Sequence, residues 1–217
     1  MGISPAKENI LRKIREALSE TTPLPFSQSE GNSLLFQKPH DDLAVIFAEE
    51  FGKLQGRFAY CENEAELAIL VKNLVTQLHI HKLYFANDHF ETLLRNNGLE
   101  QPAYLSLNDC DAAITGCELL VARTGTIVLS SAAKNGRTAS VYAPVHICIA
   151  FANQLVYDTR DALLQMKEKY PGELPSLISF ASGPSRTADI EKTLVKGIHG
   201  PAEVFCILLE NGAPATR

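Results

Sequence analysis

Near its C-terminal end the chain reads SGPSRTADIEKTLVKGIHGP, Ser182 to Pro201, where two glycine-proline pairs bracket Arg186, Asp189 and His199. A guanidinium, a carboxylate and an imidazole gathered by two turns could bind a small anion or move a proton. Gly183-Pro184 marks a turn, and Ser185 or Thr187 is placed to cap a short helix over SRTADIEKTLV. The N–H groups at such a helix start favour an anion, with Arg186 adding a fixed positive fork. Asp189 and Glu191 would fall in the first turn and stabilise the dipole themselves, so a capped helix without ligand is the competing reading. His199 stands between Gly197 and Gly200-Pro201, as a candidate catalytic imidazole or as a turn histidine bonded to backbone.

Four further positions could do chemistry. Thr124-Gly125-Thr126 precedes an apolar strand, so Gly125 either lets the backbone approach a ligand between two hydroxyls or simply supplies a positive φ. Arg137, in the polar loop Ser130 to Ser140, could swing onto a carboxylate, since its planar fork matches one bidentately. His146 lies just before the apolar run ICIAFA. Glu118 follows a strand and turn, where a carboxylate could act as the nucleophile of an acyl transfer.

Composition narrows the classes. Hydrophobic residues make up 46% and charged residues 21% of the 217, as in ordinary globular domains. The net charge is −5 and no basic run could track a phosphate backbone, which argues against nucleic acid. No apolar run approaches the roughly 20 residues that cross a bilayer, and no secretion signal opens the chain, so a cytoplasmic protein without a membrane span is expected. The cysteines, Cys61, Cys110, Cys117, Cys148 and Cys206, form no C-x-x-C pair, so no metal or iron-sulfur cluster is expected in this chain, and Cys148 and Cys206 read as core residues. Nucleophile-elbow, Walker, dinucleotide and zinc-protease motifs are absent.

The elements that must position these groups follow from periodicity. Ser4-Pro5 and the spacing of Ile10, Leu11, Ile14 and Leu18 predict an amphipathic helix, followed by a linker from Thr21 to Ser33. From Asp41 onward helices and strands alternate: helix Asp41 to Leu54, strand Arg57 to Cys61, a helix opened by Asn63 and Glu66, strand KLYFAN, helix DHFETLLRNN stopped at Gly98, strand PAYLS. AAITG, CELLVA, GTIVLSS and HICIAF then follow without long helices between them, which predicts extra or antiparallel strands. Helix DTRDALLQMKEKY and strands LISFAS and VFCILLE complete an α/β fold on a mostly parallel sheet. The organisation expected is residues 1–40 as helix and linker, 41–210 as the main domain and 211–217 as a tail.

The ordered set Thr124-Gly125-Thr126, Arg137, Pro144-x-His146-Ile147, GPSRTADIE and GIHGP resembles the LUD domain of the lactate utilization protein C family, from about Asp41 onward. The resemblance implies a NagB/RpiA/CoA-transferase-like fold, a Rossmann-like three-layer α/β sandwich. It also implies a bacterial complex that oxidises L-lactate to pyruvate, in which partner subunits carry iron-sulfur clusters and this one is expected to carry no cofactor. Thr124, Gly125, Thr126, Arg137, His146, Gly183, Ser185, Arg186, Thr187, Asp189, His199 and Gly200 would then surround a small carboxylate or other anion. Arg123 replaces an often acidic residue of that family, and Tyr142-Ala143 an aliphatic pair. Two other functions stay open: a stand-alone CoA-transferase-like enzyme using Glu118, and a scaffolding or regulatory subunit that docks through its N-terminal helix.

Overall fold

The computed structural model of the chain describes residues 5–19, 41–100, 103–104, 106–133, 137–190 and 193–210. The cap at Ser4, the linker from Thr21 to Ser33, the tail 211–217 and Glu191 lie outside the described residues. The chain divides into two units, Met1–Lys38 and Pro39–Arg217. The first contributes helix α1 (Pro5–Ser19), whose proline sits in the first turn, where its missing N–H is not needed.

The second unit opens with α2 (Leu43–Lys53), capped by Asp42, whose carboxylate accepts from Ala44 N at 2.8 Å. Strand β1 (Arg57–Cys61) leads to α3 (Glu64–Gln77), where Asn63 Oδ1 accepts from Glu66 N at 3.0 Å and the Glu66 carboxylate takes Glu62 N at 2.9 Å. Strand β2 (Leu83–Phe85) is followed by α4 (Asp88–Asn96), which ends at Gly98 with φ 92. Then come β3 (Ala112–Thr115), β4 (Leu119–Val121), β5 (Thr126–Ser130), the one-turn helix α5 (Ala139–Tyr142), β6 (Val145–Phe151) and β7 (Leu155–Val156). Helix α6 (Thr159–Lys169), β8 (Ile178–Ala181), β9 (Arg186–Ile190), β10 (Thr193–Lys196) and β11 (Glu203–Leu209) complete the order.

A central sheet runs β1-β11-β6-β3-β2 with every pair parallel. Its middle strands, VHICIAF and EVFCILL, are near-continuous apolar runs because both faces are covered. On one face Ile114, Ile147 and Phe205 meet Leu67 and Val71 of α3 and Phe90 and Leu94 of α4. On the other, Cys148, Ala150 and Cys206 meet Phe47 and Phe51 of α2 and Leu120 and Ile127 of a second sheet. That sheet, β7-β4-β5-β8, carries the expected antiparallel pairings β4 with β5 and β5 with β8. Helix α6 closes its outer face, packing Ala162 and Met166 on Val121 and Val128.

Two local expectations are corrected. Residues 186–196 form no helix: β9 and β10 make an antiparallel hairpin, with Arg186 opposite Lys196 and Thr187 opposite Val195. The β-branched Thr187, Ile190, Thr193 and Val195 lose χ1 freedom in a helix and suit a pleated surface, and this outweighs the helix-like placing of Asp189 and Glu191. The strand expected over PAYLS is, among the described residues, an isolated bridge of Ala103 to Leu83.

The turn Ala122 to Gly125 shows how closely the layers approach. Gly125 has φ 54, and a Cβ there would lie 2.4 Å from Phe51 N, in the backbone of α2. Gly125→Ala therefore combines left-handed strain with a backbone clash and should lower stability by about 2–4 kcal/mol in urea denaturation. An unchanged midpoint would mean that the turn does not rest on α2.

Candidate functional site

Parallel α/β sheets offer ligands the carboxyl ends of their strands. Here the segments that follow β2, β3 and β6 surround a pocket of about 750 Å³. Ala86 and Asn87 come from the first, Gly116, Cys117 and Glu118 from the second, and Gln154 from the third. Gly116 lets the chain pass close to the Phe90 ring, since a Cβ there would lie 3.1 Å from Phe90 Cε2.

Glu118 sits where the chain leaves the central sheet for the second one. Its backbone N–H donates to Val128 O at 2.8 Å, and Gln154 Nε2 donates to the carbonyls of Cys117 at 2.7 Å and Glu118 at 3.1 Å. Gln154 is held in turn by Phe151 N, which donates to its Oε1 at 2.8 Å. The crossing segment is thus fixed before any ligand arrives. The Glu118 side chain is only 7% exposed, and an ion there needs partners. Oε1 accepts from Ser130 Oγ at 2.5 Å and Tyr170 Oη at 2.9 Å, and Oε2 accepts from Lys169 Nζ at 2.7 Å. Burial pushes its pKa up, but the bonds from Lys169, Ser130 and Tyr170 together outweigh burial and hold the carboxyl below its usual range. The Lys169 side chain is 51% exposed, so its ammonium meets both the buried carboxylate and the water at the mouth, with donors left for a ligand.

Of the candidate catalytic and ligand-binding residues of the sequence, Glu118 alone lines this pocket. Thr124, Gly125 and Thr126 lie at the other end of β5 from Ser130, roughly 14 Å away at about 3.4 Å per residue. Thr126 Oγ1 bonds Thr124 Oγ1 at 2.8 Å and Ser182 Oγ at 2.7 Å. That second bond joins the threonine turn to the C-terminal motif. Gly183 has φ 77 and backs onto Leu54 O, which a Cβ would approach to 2.5 Å. Ser185 N donates to Pro201 O at 2.9 Å, Gly197 N to Ser185 O at 3.1 Å, and a Cβ on Gly200 would lie 3.0 Å from that of Ser185. The two glycine-proline turns are therefore one corner, with Arg186 and His199 exposed on it. The side chains of Thr187 and Asp189 lie outside the described part.

His146 is 1% exposed, its Nε2 2.8 Å from Thr115 Oγ1, and burial lowers its pKa, which keeps the ring neutral. Thr115 lines the pocket, so His146 backs its wall. Arg137 donates to Ser176 Oγ on the surface. Arg123 belongs to the fold: its Nε donates at 2.7 Å to Asp158, the cap of α6. Sequence reasoning missed Ser130, Gln154, Lys169 and Tyr170. The visible trace of them was Lys169-Tyr170 at a helix end before Pro171-Gly172. Among the described residues, no His, Cys, Asp and Glu cluster could hold a metal ion, and no helix is long and apolar enough to cross a membrane.

The family model of the LUD domain matches residues 45–209. An uncharacterized protein of Neisseria meningitidis serogroup B is 26% identical, with 97% of each chain aligned. Proteins named lactate utilization protein C are 33% identical in Deinococcus radiodurans, over 49% of this chain and 50% of that protein, and 39% identical in Halalkalibacterium halodurans, over 46% and 45%. The aligned part thus spans half or less of those two relatives. The crystal structure of a DUF162 family protein from Deinococcus radiodurans superposes with a TM-score of 0.60 at 18% identity, covering 79% of this chain and 99% of that one.

The lowered pKa of Glu118 has a signed consequence. Its ionised form stabilises the fold above the unfolded value of about 4.3, and that contribution disappears as pH falls through the lower folded value. Glu118→Gln should cost about 1–3 kcal/mol near neutral pH. In urea denaturation the gap to wild type should narrow steadily as pH falls below about 4.3. A gap independent of pH would show that the carboxylate is not held as an ion.

Proposed function

This chain belongs to the LUD domain family, and from that premise we propose that it is the subunit without iron-sulfur clusters of a system that oxidises L-lactate to pyruvate. The observation that carries the proposal is the match of residues 45–209, joined by relatives named lactate utilization protein C at 33–39% identity. Iron-sulfur clusters in partner subunits would carry away the electrons.

In this proposal the acid binds at Glu118 and Lys169. The Lys169 ammonium, already one bond into Glu118, takes the lactate carboxylate. Glu118 Oε2 accepts from Lys169 alone among the described bonds and keeps an acceptor position for the 2-hydroxyl. A carboxylate held below its usual pKa is a weak base. As the C2–H bond gives up its electron pair, however, the hydroxyl becomes that of a protonated ketone, acidic enough for such a carboxylate to take its proton. Ser130 and Tyr170 keep Glu118 aimed, and Gln154 keeps its backbone in place.

The same carboxylate could serve a CoA-transferase-like enzyme, but two features weigh against that. Both Glu118 oxygens already accept hydrogen bonds, which lowers their nucleophilicity. The charged side chains lining the pocket are Asp88, Glu118 and Lys169, a balance that disfavours the phosphates of coenzyme A.

The test is pyruvate formation by this chain reconstituted with iron-sulfur subunits. Omitting the chain should abolish it. Glu118→Gln should lower kcat about a hundredfold or more, whereas Lys169→Met should mainly raise KM. Full pyruvate formation without this chain would contradict the proposal.

A further inference from the structure

We infer that the pocket also takes an uncharged planar redox ring of quinone or isoalloxazine type, beside the acid, an inference that rests on the lactate proposal for its chemistry but not for its geometry. A volume of about 750 Å³ belongs to the range that encloses drug-sized ligands, roughly 300–1,000 Å³. A three-carbon acid held at Glu118 and Lys169 leaves most of it empty. Beside the polar residues, an apolar part of the lining is formed by Phe90 and Phe151, stacked at 6.0 Å and 25°, with Leu129 and Ile149. Ala86, Ala132 and Ala133 add only methyl groups, which leaves width for a flat ring.

Charge selects among planar ligands. Helix α4 points its N-terminus at the pocket, yet Asp88 and Glu91 stand in its first turn and Asn87 Oδ1 already takes His89 N at 2.9 Å. A phosphate there would meet the Asp88 carboxylate, with Glu118 as a second acidic group on the pocket. The ring is therefore one without phosphate. Lys169, with one of its three ammonium donors on Glu118 and one for the acid, supplies the third to a ring carbonyl at the polar end.

Electron accounting gives such a ring a purpose. Lactate C2 releases a hydride, two electrons with one proton, whereas iron-sulfur carriers accept electrons singly. The hydride passes from C2 to the ring, the hydroxyl proton passes to Glu118, and pyruvate and the two-electron-reduced ring remain. The reduced ring then gives its two electrons one at a time to the partner clusters, and its one hydride-derived proton and the proton on Glu118 pass to water.

Calorimetric titration of the full chain tests this, with menadione in one arm and riboflavin in another. At least one should bind with Kd below about 100 μM. Ala133→Trp, at an exposed position on the pocket rim, should weaken it at least tenfold with an unchanged melting temperature, and Ser140→Phe should do the same from the neighbouring wall. Flavin mononucleotide should bind at least tenfold more weakly than riboflavin if riboflavin is the ring taken. Binding of neither ring, or binding indifferent to both blocking substitutions, would overturn the inference. Flavin mononucleotide binding as tightly as riboflavin would overturn the charge selection. Ring binding needs no lactate, so its loss beside intact pyruvate formation sinks the ring alone, and the converse sinks the lactate proposal alone.

Discussion

An ionised carboxylate enclosed between two sheets has to be solvated by the protein, and at Glu118 three parts of the chain meet to do so. Its backbone lies on the crossing from β3 to β4, Ser130 ends β5, and Lys169 and Tyr170 end α6. Removing any one donor leaves a charge at 7% exposure less well paired, a situation that the interior opposes strongly. The ends of three elements are therefore held at one point. That point is also where the parallel sheet opens toward solvent, so one electrostatic requirement both closes the second sheet over the first and sets a polar head on an apolar pocket.

The corner built from the threonine turn and the two glycine-proline turns has a different physical character. Among its described groups, several are spent on one another: Thr126 on Thr124 and Ser182, Ser185 N on Pro201 O, Gly197 N on Ser185 O. Its glycines press on backbone, Gly125 against Phe51 and Gly183 against Leu54 O. Both contacts fall at the C-terminal end of α2, which fixes that helix against the second sheet. A sequence motif of this density can thus mark a tight junction between layers as readily as a ligand site.

Much of the fold could be read from periodicity. Apolar runs such as VHICIAF and EVFCILL announced strands buried on both faces, and Asn63 with Glu66 announced the start of α3. The hairpin at 186–196 was masked in the sequence by the helix-like placing of Asp189 and Glu191 among β-branched residues. The site was legible only in part. Glu118 stood out as a lone carboxylate, but its partners lie 12, 51 and 52 residues away in the chain, beyond any local pattern. Arg123 stood out as a departure from the family pattern, and its partner Asp158, the cap of α6, lies 35 residues on.

The proposed lactate site has Glu118 and Lys169 as its polar head. Saturation-transfer NMR on the lactate methyl group, with the isolated chain and L-lactate in large excess, tests it most directly. Transfer from protein to lactate is expected, and it should be lost in Lys169→Met. No transfer at millimolar lactate, or transfer that Lys169→Met leaves unchanged, would place lactate elsewhere and contradict it.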